Sequence, residues 1–183
     1  MTPTIRLARH VDAAALAAFS ARTFFDTYAE ANDPADMTAH LAAKYGEAIQ
    51  TAELKNPELV YLLAELGDVL VGFALLHLDH GPQNTELSQP VELVRFYVDK
   101  EWHGHGVAQA LMGACVDEAI RRGGRTLWLA VWQENARAIA FYRKAGFTIG
   151  GSVTFHLGSQ RQNDHMMTLA LESTGSAAPV GRP

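Results

Sequence analysis

The chain has 183 residues, a length that buries a core without disulfide or metal staples. Apolar residues make up 48% of it, yet no run approaches the ~20 residues that cross a bilayer, which sets a membrane-spanning class aside. A single cysteine, Cys115, excludes an intramolecular disulfide, and a formal net charge of −5 argues against a nucleic-acid surface. The N-terminus lacks the charged segment and apolar run of a secretory signal, so the expected compartment is the cytoplasm.

Thr4 to Leu7 reads as a short strand, followed from about Asp12 to Phe25 by an alanine-rich helix with Asp12 at its cap. Asn32-Asp33-Pro34 breaks the chain, and Pro34 with Asp36 suits the start of a helix through about Tyr45. A further short helix, Glu47 to Lys55, ends before Asn56-Pro57 because the residue preceding proline resists helical geometry. Two apolar runs of strand length follow, Val60 to Leu66 and Val69 to Leu76, with Gly67-Asp68 as a tight hairpin turn between them. After a polar loop from His80 to Pro90, Val91 to Val98 alternates as a fourth strand. A glycine turn then leads into a helix to about Arg122. Thr126 to Val131 is a buried-strand candidate, and Asn135 caps a helix that ends at Gly146. Phe147 to Phe155 and Met166 to Leu171 complete the strands. The order implies an α+β domain over residues 1–172 with a mixed, mostly antiparallel sheet flanked by helices. The tail from Ser173 to Pro183, rich in Gly, Ser, Ala and Pro, has nothing to bury and is expected to be disordered.

The stretch VELVRFYVDKEWHGHGVAQALMGACVDEAI carries the most chemistry. A strand runs into a turn containing Gly104 and Gly106, and the turn runs into a helix whose Val107, Leu111, Cys115 and Ala119 share one face. Glycines let the main chain approach a ligand closely, and a helix N-terminus presents unpaired N–H groups and a positive dipole end. The combination suits a pyrophosphate. A nucleoside-triphosphate loop would need Gly-Lys-Ser/Thr, but Val107-Ala108 follow Gly106. A dinucleotide fingerprint would need a small residue at Gln109. On this evidence alone the turn is either an anion cradle or a plain strand-to-helix connection.

The segment resembles the core motif of the GNAT (Gcn5-related) N-acetyltransferases, Arg/Gln-x-x-Gly-x-Gly/Ala after a strand, with His103-Gly104-His105-Gly106-Val107-Ala108 at its place. A second stretch, VWQENARAIAFYRKAGF, resembles that family's Asn-x-x-Ala-x-x-Phe-Tyr-x-x-x-Gly-Phe helix. Together with the preceding hairpin the likeness covers about Val60 to Leu171. The first third, from TFFDTYAEANDP onward, is more loosely similar to the branch containing a bacterial spermidine/spermine acetyltransferase. The chain departs from the motif at His103, where Arg or Gln is usual.

The resemblance implies an acetyl-coenzyme A-dependent N-acetyltransferase in which the fourth and fifth strands splay around the cosubstrate. It implies that main-chain groups of Phe96, Tyr97 and Val98 hold the pantetheine arm and that amides of His103, Gly104, His105, Gly106, Val107 and Ala108 hold the pyrophosphate. Asn135 is the motif asparagine on the fifth-strand side, and Tyr142 lies near the thioester sulfur, where a phenol can support the departing thiolate. Glu92 is the candidate base for the incoming amine, with an exposed strand carboxylate as the alternative, and the N–H of Phe96 or Val98 is the candidate oxyanion donor. No residue pair reads as an activated nucleophile, so direct transfer in a ternary complex is expected. The expected acceptor is a primary amine of a small molecule, polyamines being one class. Amino acids, aminoglycosides and protein N-termini are alternatives, as is an acetyl-CoA-binding regulatory module without turnover; a homodimer stays open.

Four histidines, His77, His80, His103 and His105, have no cysteine or neighbouring carboxylate completing a metal-ligand pattern, so no metal is expected. Cys115 reads as a core residue, Trp132 as sheet packing or part of the acceptor pocket, and Asp26, Glu30, Asp33 and Asp36 as a solvated surface or a lure for a polycation.

Overall fold

The computed structural model describes residues 2–83, 85–157 and 160–172. The expected tail from Ser173 to Pro183 lies outside the described residues. The order is β1 (Thr4–Leu7), α1 (Ala13–Tyr28), α2 (Pro34–Lys44), α3 (Glu47–Lys55), β2 (Leu59–Leu66), β3 (Val69–Leu78), β4 (Pro90–Val98), α4 (Val107–Arg121), β5 (Thr126–Trp132), α5 (Ala136–Lys144), β6 (Thr148–Leu157) and β7 (Gln160–Ala170). The seven strands form one sheet in the order β1-β2-β3-β4-β5-β7-β6. Every neighbouring pair is antiparallel except β4 and β5.

Local chemistry accounts for the element ends. The Asp33 side chain accepts from the amides of Ala35 and Asp36 and, with Pro34 next to it, starts α2. Asp33 is therefore a helix cap, and one of the four carboxylates considered as a lure for cations is accounted for. Leu66 pairs with Val69 across the two-residue turn Gly67-Asp68, as the hairpin motif requires. The last hairpin is longer than its apolar pattern: β7 starts at Gln160 rather than near Met166. Its polar first half, Gln160 to His165, is held by main-chain pairing to β6 and carries no apolar alternation to reveal it.

The sheet is packed on both faces. On one, Val107, Leu111, Cys115 and Ala119 of α4 meet Val60, Leu62, Ala74, Leu76 and Leu127, with Tyr142 and Phe147 in the same cluster. On the other, Leu16 and Phe19 of α1 cover Tyr61, Leu63, Phe73 and Leu75. Cys115 is fully buried there, and burial pushes its thiol far above the ordinary range, which makes it a core residue and not a nucleophile.

One irregularity positions the site. The register of β3 against β4 slips between Leu75 and Leu76, which face Arg95 and Leu93, so Val94 is the extra residue of a bulge. A bulge bends its strand and ends regular pairing. Pairing of β4 with β5 accordingly stops after Pro90–Thr126, Val91–Leu127 and Glu92–Trp128. Beyond Glu92 the two strands part, and the β5-facing main-chain groups of β4 have no sheet partner among the described residues.

Candidate active site

The parted strands open a cleft of about 820 Å³. Its walls come from the C-terminal half of α1, from the loop at 103–104 with the start of α4, and from α5. Phe96, Tyr97, Val98, His103, Gly104, Ala108, Asn135, Tyr142 and Glu92 all line it. Residues far apart in sequence thus meet in one cavity, whereas His105, Gly106 and Val107, also expected to hold the pyrophosphate, are not among its lining residues.

The loop has the form of an anion cradle. Gly104 and Gly106 have φ of +81° and +82°, and a Cβ at either would meet nothing within 4 Å. Glycine is required by the left-handed dihedral, not by crowding inside the protein. Gly106 is the N-cap of α4 and offers no side chain, so the first amides of the helix lack a side-chain cap. The six expected amides are not equivalent. Those of His103 and His105 turn inward to the carbonyls of Lys100 and Trp102 at 3.3 and 3.4 Å. The amides of Gly104, Gly106, Val107 and Ala108 have no such main-chain partner among the described residues. The Val98 carbonyl, expected to face the pantetheine arm, accepts from His103 Nε2 at 2.9 Å.

That bond explains part of the departure at 103. With Nε2–H donating to Val98, the Nδ1 atom accepts, and the Arg137 guanidinium lies 2.8 Å from it. Arg137 comes from the first turn of α5 and also lines the cleft. A guanidinium thus stands beside position 103, contributed by α5 rather than by the loop itself. Sequence reading passed over Arg137 because the two residues are 34 positions apart.

Asn135 caps α5, its side chain accepting from the Ala138 amide at 3.1 Å. Tyr142 is 8% exposed, belongs to the main core cluster and lines the cleft, so its expected packing role and its place at the cavity coexist. Its ring lies 6.3 Å from that of Phe96, which stacks on Phe141 at 5.5 Å. Burial, with Tyr28 beside it, pushes the Tyr142 phenol well above its ordinary range, so the hydroxyl keeps its proton. Tyr28 links several groups: it neighbours the Tyr97 hydroxyl, Asn135 and Asp164.

Glu92 is not an exposed strand carboxylate. Its side chain is 17% exposed and accepts a 2.7 Å contact from His80 Nδ1. Burial raises its pKa above the ordinary value, and His80 only partly opposes this. The four histidines fall into two pairs: His103 and His105 belong to the cradle, whereas His77 and His80 stack at 4.2 Å beside Glu92. The expected lack of a neighbouring carboxylate is thus corrected, since His77, His80 and Glu92 bring donor atoms within 4.8 Å of one another. His77 faces Glu92 across the β3–β4 ladder, a non-local pairing that residue spacing does not reveal.

Across the cleft, burial pushes the Glu53 carboxyl up, but Arg95 and Tyr61 outweigh it and hold the carboxyl below the usual range. Arg95 contacts both Glu53 oxygens at 3.0 Å and is itself hydrogen-bonded to the Tyr61 hydroxyl. Trp132 lines the cleft, as one of its two expected roles requires. Two features at this end were not anticipated: Tyr28, and Asp164 on β7.

Comparison with known proteins bears on this geometry. Residues 18–147 match the model of the acetyltransferase (GNAT) family. An uncharacterised N-acetyltransferase of Mycobacterium tuberculosis is 35% identical over 160 residues, which span 87% of this chain and 98% of the relative. Among solved structures, the PaiA N-acetyltransferase of Thermoplasma acidophilum in complex with coenzyme A superposes with a TM-score of 0.76 at 21% identity, covering 93% of this chain and 99% of that one. YncA of Salmonella typhimurium, a putative acetyltransferase solved with acetyl-CoA, superposes with a TM-score of 0.64 at 22% identity, covering 98% and 99%. These two likenesses show a shared fold. No described helix is long and apolar enough to cross a membrane. A cradle of left-handed glycines, a sheet parted at β4 and β5, and the family match over residues 18–147 lead to one conclusion: the chain belongs to the GNAT acetyltransferase family and is an acetyl-CoA-dependent N-acetyltransferase.

Proposed function

We propose that the protein transfers the acetyl group of acetyl-CoA directly to a primary amine of a small molecule, with a polyamine as the favoured acceptor class. The observation that carries the reading is the cleft, which joins the glycine cradle, the buried Tyr142 phenol and the Glu92 carboxylate in one cavity. In this reading Gly104, Gly106, Val107 and Ala108 donate to the pyrophosphate, the freed main chain of Phe96 to Val98 pairs with the pantetheine arm, and Asn135 borders it.

Glu92 takes the proton of the incoming ammonium, directly or through water, and its raised pKa suits it to hold that proton. The 2.7 Å contact with the half-exposed His80 gives the proton a route to solvent. The neutral amine attacks the thioester carbonyl, and an N–H of Phe96 or Val98 meets the developing oxyanion. As the carbon–sulfur bond breaks, Tyr142, protonated because it is buried, donates its proton to the thiolate, and the phenol is restored by the second proton that the nitrogen sheds as the amide forms. The looser likeness of the first third to the spermidine/spermine branch favours a polyamine acceptor. The formal charge of the lining does not decide it, since Lys44, Arg95, Lys100 and Arg137 match the four acidic side chains Asp26, Glu92, Glu134 and Asp164 in number.

The Glu92→Gln variant tests the assignment. The acid limb of kcat/KM falls in the wild type as pH drops through the Glu92 pKa, above the ordinary carboxyl range, and the variant is slow without that limb. An unaltered limb in Glu92→Gln removes Glu92 from the role. Mass spectrometry of enzyme incubated with acetyl-CoA alone tests direct transfer: an unmodified chain agrees with it, and an acetylated side chain that then passes its acetyl to the amine refutes it.

A further inference from the structure

Among the described residues, Asp164 is the cleft carboxylate that is buried with an oxygen left unpartnered. It sits on β7 opposite Trp132 of β5, is 7% exposed, and its Oδ1 has no hydrogen-bond partner. Other charged groups of the cleft are paired or open to solvent: Arg95 pairs with Glu53, Glu92 with His80 and Asp26 with Lys100 at 3.5 Å, while Lys44 and Glu134 are exposed. A buried carboxylate oxygen without a partner is costly, so a site that retains one is built for something that arrives. Its neighbours indicate what arrives. The Tyr28 and Trp132 rings stand 6.4 Å apart beside it, and aromatic faces next to a carboxylate attract an alkylammonium.

Sheet register fixes its place relative to the proposed base. Glu92 faces Trp128, and Asp164 faces Trp132, so both occupy the same face. Four residues of β5 separate those levels, about 13 Å at the rise of a strand, and Glu92 on β4 and Asp164 on β7 flank β5 on opposite sides, roughly 10 Å apart across the sheet. That is the reach of an extended polyamine, not of one ammonium group. The reacting nitrogen must be neutral when it attacks, so a second carboxylate this far from Glu92 serves a different nitrogen.

We propose that Asp164, with Tyr28 and Trp132, is the seat for a non-reacting ammonium of the acceptor, and so selects amines that carry a second cation. The inference rests on the reading of the cleft as the acceptor site. Asp164 acts here as a specificity residue and takes no part in bond making.

The test compares spermidine with butylamine as acceptors for the wild type, Asp164→Asn and Asp164→Glu. Asp164→Asn raises KM for spermidine roughly tenfold or more, the scale of one lost charge-assisted hydrogen bond, with little change in kcat. KM for butylamine stays where it was, and Asp164→Glu recovers part of the spermidine KM. An unchanged spermidine KM overturns the proposal, as does an equal loss on both acceptors. Calorimetry of spermidine binding to the CoA-loaded protein gives a readout independent of turnover: binding weakened in Asp164→Asn supports the seat, and equal binding refutes it. If the wild type binds spermidine through Asp164 yet acetylates no amine, the proposed function fails while the seat stands.

Discussion

Arg137→Ala is the substitution that best separates a cosubstrate contact from a structural one. The guanidinium lies 2.8 Å from His103 Nδ1 at the rim of the glycine cradle, where the usual Arg or Gln of the motif is absent. A charged donor to a phosphate is worth about 1.5–3 kcal/mol, and the exposure of Arg137 places it at the lower end, about tenfold in affinity. Arg137 sits in the first turn of α5, where a cation opposes the helix dipole, so truncation costs the fold little. Titration calorimetry with acetyl-CoA therefore shows a weaker Kd at nearly unchanged Tm, and the difference shrinks at high salt. Acetyl-pantetheine, which has no pyrophosphate, binds wild type and variant alike. Adding His103→Arg to Arg137→Ala restores affinity, because a guanidinium then reaches the cradle from the other side. The reasoning is refuted if Arg137→Ala binds acetyl-CoA as the wild type does, or if acetyl-pantetheine suffers the same loss.

Three further outcomes are expected. Tyr142→Phe lowers kcat by about 100-fold or more while leaving the acetyl-CoA Kd near wild type; an unchanged kcat removes Tyr142 from the leaving-group role. Arg95→Ala removes the ion-pair partner of the partly buried Glu53, which keeps its bonds from Tyr61 and Gln50, costing about 1–3 kcal/mol, and a thermal melt shows a Tm lower by about 5 °C; a shift near zero means that solvent reaches Glu53. Gly106→Val forces a branched residue to φ +82° at a cost of about 1–2 kcal/mol even though its Cβ has room, and re-forms the cradle so that acetyl-CoA binding is lost; normal affinity refutes the loop assignment.

What could be read from the sequence was local, and what could not was made by distant chain segments meeting. The turn at Gly104 and Gly106, the Asn135 cap and the Gly67-Asp68 hairpin each write their geometry within a few residues. Tyr142 was visible by motif, although helical periodicity alone reads it as core, and the fold gives it both environments. Arg137 beside His103, His80 beside Glu92, and Asp164 opposite Trp132 are products of tertiary register. Asp164 was hidden further because the first half of β7 is polar and has no apolar alternation. Its unpartnered Oδ1 is a property of packing, invisible until β5 and β7 are paired.

Thiol release from acetyl-CoA across a panel of acceptors shows whether this cleft acetylates a small amine. The panel sets spermidine and other polyamines beside butylamine, free amino acids, an aminoglycoside and an N-terminal peptide. CoA release depends on the acceptor, is greatest with polyamines, and is abolished in Gly106→Val. Acetyl-CoA binding with no CoA release for any amine contradicts it, and release greatest with the peptide transfers the activity to protein N-termini.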